Sequence, residues 1–146
     1  MNLIIVNESP QRVPRQFLEK WCRGIELELI KRKVVSKKIS SLELTLVFLN
    51  RAAAQKLNKQ YRSRNYATDV LSFASVSEDS LGDLVMCPEV LKKQSLEHRM
   101  SYRHELGYMV LHGILHLLGF DHEQSEREAK KMFSLQDAIF EILMQK

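Results

Sequence analysis

The amino-acid sequence predicts an α+β fold: a single domain over residues 1–146, with a sheet of about four strands packed by about five helices. Three observations carry this expectation. A chain of 146 residues is one typical domain long, enough to bury roughly 68–70% of the surface its unfolded form exposes. Short runs rich in leucine, valine and isoleucine alternate with longer segments of helical period. Neither an internal repeat nor an interdomain linker interrupts them.

Leu3–Val6 reads as a short buried strand. Pro14, a residue favoured at the first helical position, opens a helix in which Phe17, Trp21, Ile25 and Leu29 recur every four residues and so share one face. Lys31-Arg32-Lys33 and Lys37-Lys38 bracket its exit; such a cluster complements the negative end of a helix dipole and equally offers contacts to phosphate. Leu42–Leu49 is a strand with Leu42, Leu44, Leu46 and Phe48 on one face, apolar on both faces towards its end, as an inner strand would be. Asn50 caps a helix that runs to about Tyr61. Tyr61–Asp69 is polar and without period, a loop leading into the strand Val70–Phe73. Ser77–Ser80 makes a turn, Leu81–Met86 the next strand, and Pro88 opens a further helix. Ser101 caps a helix running to about Leu118, and Gly119 supplies the left-handed residue that ends it. Ser125 and Glu128 have capping-box spacing at the head of the last helix, whose apolar face is Ala129, Met132, Phe133, Ile139, Phe140 and Leu143.

Apolar residues make up 45% of the chain, charged residues 27% and aromatics 8%, a balance that excludes collagen-like, low-complexity and disordered classes. The longest apolar stretch, Tyr108–Phe120, is interrupted by His112 and His116 and falls short of the roughly 20 residues a membrane span needs. Met1–Val6 lacks the basic start of a signal peptide, so a cytosolic location is expected. Cys22 and Cys87 are far apart and form no C-x-x-C motif; they read as buried, inert thiols. The net charge of +4 hides an asymmetry. Residues 1–73 hold 14 Lys/Arg against 6 Asp/Glu, whereas residues 74–146 hold 8 against 12. A polyanion would favour the first half.

Three of the five histidines fall within His112–His122. At about 100° per residue, His112 and His116 project from one helix face a turn apart, the spacing that lets two imidazoles reach one ion. Gly119 lets the chain fold back so that His122 closes a third vertex, which puts a three-histidine metal site at the end of the penultimate helix. Three neutral nitrogens leave a fourth tetrahedral position open, the mark of a catalytic zinc site; imidazole also suits nickel, copper and iron. Isolated histidines on so apolar a helix would each need a polar partner, and a shared ion satisfies both. The spacing H-x-x-x-H-x-x-G-x-x-H is that of the metzincin proteases, with Gly113 where those enzymes carry their general-base Glu. Glu105 lies about 10 Å before His112 by helical rise, too far to replace that base, although Glu105 or Asp121 could orient a ligand; the alternatives are a solvated carboxylate and a helix cap.

The block His112-Gly-Ile-Leu-His116-Leu-Leu-Gly119-Phe120-Asp121-His122 resembles the H-G-x-L-H-L-x-G-Y-D-H signature of the YbeY-type endoribonucleases. Leu57-Asn58-Lys59-Gln60-Tyr61-Arg62, Thr68-Asp69-Val70-Leu71-Ser72-Phe73 and Leu81-Gly82-Asp83-Leu84 look like that family's upstream blocks in the same order, so the likeness runs from about Leu42 to the C-terminus. The resemblance implies a metal-dependent hydrolase that cuts single-stranded RNA. It would act in ribosomal RNA maturation, notably at the 3′ end of the small-subunit RNA, and in ribosome quality control, with ribosomal proteins as further partners. It implies His112, His116 and His122 as ligands of one Zn2+ and Arg62 as the functional arginine; on spacing alone Arg62 could equally be a solvated surface residue. Three positions depart from the family pattern: Ala67 and Ala74 stand where Pro is common, and Phe120 stands for the usual Tyr, so a role for that hydroxyl is in doubt here. Two other classes stay open at this point: a metalloprotease, disfavoured by Gly113, and a non-catalytic ribosome assembly factor that uses its metal for folding.

Overall fold

The computed structural model describes residues 1–62 and 70–146, with Arg62 described by its backbone alone. The expected loop therefore lies, from residue 63 onward, outside the described residues, as does Ala67. The elements are β1 (Asn2–Asn7), α1 (Arg15–Lys31), a 3-10 turn (Lys37–Ser41), β2 (Glu43–Phe48), α2 (Arg51–Arg62), β3 (Val70–Ala74), β4 (Ser80–Met86), α3 (Pro88–Glu97), α4 (Tyr102–Leu117) and α5 (Glu126–Met144). The four strands form one mixed sheet in the order β1-β2-β4-β3. β1, β2 and β4 are parallel, while β3 runs antiparallel to β4 at the edge. Among the described residues the chain forms the expected α+β arrangement of four strands and five helices.

Side-chain chemistry sets most boundaries. Asn50 Oδ1 accepts the Ala53 amide at 2.8 Å, Ser101 Oγ that of His104 at 3.1 Å and Ser125 Oγ that of Glu128 at 3.1 Å, so each expected cap is formed. Pro14 is displaced by one position: it is the N-cap of α1, with Arg15 as the first helical residue. The buried face of α1 is wider than the four-residue repeat implied. Leu18 and Cys22 join Trp21, Ile25 and Leu29 in the core, and Phe17 is half-buried, stacked on Trp21 at 5.5 Å between ring centres. The helix contacts β1, α4 and α5 together, which demands more than one stripe. Leu42 precedes β2 and is half-buried, whereas Leu44, Leu46 and Phe48 are wholly buried.

Helix α4 is the centre of the molecule: it contacts β3, β4, α1, α3 and α5. Leu106, Val110, Leu111, Ile114 and Leu115 are all 0% exposed. Trp21 Nε1 donates to the Gly107 carbonyl at 2.8 Å, and a Cβ at Gly107 would stand 2.9 Å from the Trp21 ring, so α1 and α4 approach as closely as a missing side chain permits. No helix among the described residues is long and apolar enough to cross a membrane.

Both thiols are free and buried, as expected. Burial pushes the Cys22 thiol up to about 12, far from the thiolate a reagent attacks. At pH 8 the folded protein is expected to leave both cysteines unmodified by a water-soluble disulfide reagent, with two equivalents reacting at once in denaturant. Rapid native-state labelling at Cys22, read by mass spectrometry, would contradict this burial.

Candidate metal centre

His112 and His116 project from the last two turns of α4. The helix then stops in a Schellman turn: the Phe120 amide donates to the Leu115 carbonyl at 3.0 Å and the Gly119 amide to the His116 carbonyl at 3.0 Å, with Gly119 at φ +100°. Only a residue without Cβ takes that conformation at no steric cost. The reversal carries His122 back beneath the helix, so that one ring nitrogen from each of His112, His116 and His122 lies within 4.8 Å of the others. The three-histidine cluster stands where the sequence places it, and it is the only such group among the described residues. Phe133 of α5 covers it, 6.0 Å from His112 and 5.4 Å from His122 between ring centres.

The protonation pattern fits a cation. His112 Nδ1 lies 2.9 Å from the side-chain oxygen of Gln136; since that oxygen can only accept, Nδ1 carries the proton and Nε2 keeps the lone pair. His116 hydrogen-bonds the Phe120 backbone, a contact that favours a ring N–H towards the carbonyl, and its own Nε2 faces His112 Nε2 at 3.0 Å. Two ring nitrogens thus face one another at a separation that a cation between or beside them would suit. Burial, and then the neighbouring His122, lower the His116 pKa from its ordinary value, which keeps that imidazole neutral and able to ligate. His122 adds a buried Nδ1 with no hydrogen-bond partner among the described residues. Zn–N bonds of about 2.0–2.1 Å in a tetrahedron imply N···N edges of about 3.3 Å, close to the His112–His116 separation. The three side chains could therefore hold a metal ion.

A cleft of about 740 Å³ opens beside them, lined by Tyr61, by edge strand β3 and by Phe120, Asp121 and Glu123. Phe120 borders the cleft with a phenyl ring and no hydroxyl. Ala74, the other described departure from the family pattern, ends β3 on the same wall. Arg62 closes α2 next to Tyr61, which lines the cleft and whose ring packs on Phe73 of β3 at 5.1 Å.

The expectation about Glu105 needs correction. Glu105 is neither solvated nor turned towards a ligand: it is 6% exposed and accepts His98 Nδ1 at 2.7 Å, tying the start of α4 to the end of α3. Asp121 accepts the Glu123 amide at 2.8 Å in a local turn, while Ser125 caps α5. The side chain that meets a site histidine is Gln136, which sequence reasoning missed. Its signal was available: Met132, Gln136 and Ile139 share one helical stripe, and a lone amide in the middle of an apolar stripe needs a partner.

Gly113 has a structural explanation. A Cβ there would stand 2.7 Å from Leu84 Cδ2 on β4, so residue 113 faces the sheet and not the cleft. A side chain at 113 would first have to displace Leu84.

These features define a class: a small α+β protein whose central helix presents a three-histidine site to a cleft at a sheet edge. The family model described as Endoribonuclease YbeY matches residues 4–144, and the chain belongs to that family. It is 56% identical over 146 residues to the endoribonuclease YbeY of Bdellovibrio bacteriovorus, covering 100% of this chain and 97% of that one. It is 36% identical to the Persephonella marina endoribonuclease YbeY, over 97% of this chain and 92% of the other. The solution structure of a Thermotoga maritima protein superposes with a TM-score of 0.63 at 30% identity, covering 94% of this chain and 87% of that one.

Replacing Gly113 by Ala sets two effects against each other. Ala gains about 1 kcal/mol of helix propensity over Gly, whereas overpacking a filled core costs about 1–3 kcal/mol. Leu84 is 0% exposed within the packed core, so a net loss is expected, seen as a lower urea midpoint at unchanged m. A more stable Gly113→Ala variant would show that Leu84 yields.

Proposed function

We propose that this chain is a zinc-dependent endoribonuclease that cuts single-stranded RNA during ribosomal RNA maturation, at the 3′ end of the small-subunit RNA, and in ribosome quality control. One domain over residues 1–146 carries the activity. Its setting is the cytoplasm, with the ribosome and its proteins as context. The observation that carries this reading is the convergence of His112, His116 and His122 on one point at the cleft wall, in a chain of the YbeY family.

In this mechanism His112, His116 and His122 hold the ion as neutral imidazoles. The ion would supply Lewis-acid polarisation of the phosphodiester and acidify the attacking oxygen. Arg62 binds the phosphate with two parallel N–H donors and stabilises the negative charge that grows during cleavage. The end of α2 beside the cleft supports that assignment, as does the cationic excess of residues 1–73. Single strands enter the cleft along β3, and Tyr61, 59% exposed at its margin, offers a ring face to a base. Peptide hydrolysis of the metzincin kind is not expected, because Gly113 points into the sheet and no general base stands in its place.

Chelation is expected to stop cleavage of a single-stranded RNA, with zinc restoring it and unstructured peptides untouched throughout. Elemental analysis should find one zinc per chain in the parent and none in a His112→Ala, His116→Ala double variant. Equal metal in both would sink the assignment.

Arg62→Ala should keep the fold and the metal while single-turnover cleavage drops by about 10²–10³, the cost of removing one transition-state donor. Arg62→Lys should recover little, since an ammonium keeps the charge but not the planar fork. Parent-like rates in both variants would return Arg62 to the ordinary surface.

A further inference from the structure

Behind His112, on the side away from the cleft, lies a short run of polar groups in an otherwise apolar region. Gln136 is 0% exposed on the inner face of α5, and its oxygen meets His112 Nδ1 at 2.9 Å. On the same side Tyr108 donates its hydroxyl to Asp137 Oδ1 at 3.0 Å and also interacts with the Gln136 carboxamide. We infer that Gln136 is a positioning residue for His112, its carboxamide oxygen fixing the imidazole proton on Nδ1 and so presenting Nε2 to the ion, with Tyr108 and Asp137 keeping the amide the right way round. The inference rests on the metal-binding reading above.

The argument turns on the two ends of an amide being opposite in kind. Turned over, Gln136 would offer N–H to His112 Nδ1. The imidazole proton would then sit on Nε2, and the lone pair facing His116 and His122 would be gone. The bias against that state comes from Tyr108. Because its hydrogen is committed to Asp137, its oxygen presents lone pairs to the carboxamide, a setting that suits NH2 and repels a carbonyl oxygen. Gln136 Nε2 makes no hydrogen bond of ordinary geometry, so Tyr108 acts on it through electrostatic preference and not a formed bond. Phe133, one helical turn before Asp137, lies nearly parallel to the His112 ring at 22° and closes off its face. A hydrogen bond at Nδ1 and a stacked neighbour together favour one orientation and one tautomer of the ring, which is what outer residues of metal-ligating histidines provide. A glutamine leaves the site one negative charge poorer than a carboxylate would in the same role, so the ion keeps more of its charge for the phosphodiester.

The tautomer is measured on the metal-free full chain from the imidazole 15N shifts, and zinc affinity by competition with a chromogenic chelator. His112 is expected as the Nδ1–H form in the parent. Gln136→Leu, of similar size and without an acceptor, is expected to populate both tautomers and to bind zinc 10–100-fold more weakly, the usual cost of losing such a partner. Gln136→Glu keeps an acceptor and should restore both tautomer and affinity, which a merely structural role would not predict. Tyr108→Phe should leave a mixture of tautomers. An Nε2–H tautomer in the parent overturns the inference, as does parent-like zinc affinity in a folded Gln136→Leu. Should the parent itself take up no zinc, the proposed function fails, and the tautomer measurement, which needs no metal, still decides the role of Gln136. If Gln136→Leu does not fold, the parent and Gln136→Glu tautomers decide it.

Discussion

Everything at the site depends on how closely α4 approaches its neighbours. Gly107 lies under the Trp21 ring and Gly113 against Leu84, so the helix is seated on α1 and on the sheet at two points with no side chain between. Five wholly buried aliphatic side chains then fix its rotation. Each contributes about 1.5–3 kcal/mol on burial, against about 1–3 kcal/mol for a buried polar group left without a partner. The apolar face wins, and the imidazoles of His112 and His116 must point where that face sends them. Their partners are therefore brought to them: Gln136 from α5, the Phe120 backbone from the Schellman turn, and His122 from the chain beyond it.

The same arrangement explains why His116 stays neutral in acidic company. Asp121 and Glu123 raise the His116 pKa, but burial and His122 lower it more, so the net direction is down. The carboxylates thus favour a cation among the histidines without forcing a proton onto one of them. They also line the cleft into which the proposed RNA must come, and unneutralised they would repel its phosphates. A divalent ion held by the histidines would cancel the two negative charges on that wall.

Signals local to the chain were legible in the sequence. Asn50, Ser101 and Ser125 announce their helices because a cap is a contact between residues three apart, and Gly119 announces its turn because φ +100° is a property of one residue. The histidine spacing works in the same way, since one helical turn and one reversal suffice to bring the three rings together. What could not be read depends on contacts across the fold. Nothing near Glu105 says that His98, at the end of α3, will take its carboxylate. Nothing near Gly113 says that Leu84 will lie 2.7 Å from its missing Cβ, so the residue was legible as the absence of a base but not as a packing requirement. Gln136 is the intermediate case, its anomaly visible within α5 and its partner in α4 not.

The charge asymmetry of the sequence acquires a meaning from the strand order. In the sheet β1-β2-β4-β3, the strand that closes the cleft comes from the junction of the two halves: β3 follows the basic α2, whereas α4 and the His122 turn belong to the acidic half. The antiparallel pairing of β3 with β4, Ser72 opposite Leu84, holds one wall against the other, because Leu84 is also the residue on which Gly113 rests. A displacement of α4 at Gly113 would be transmitted through Leu84 to β3 and would change the cleft width as well as the direction of His112 and His116. The basic end of α2 and the three imidazoles are thus kept in register by an apolar contact that belongs to neither. This is the physical reason the position between the two helical histidines is occupied by the smallest residue and not by a catalytic one.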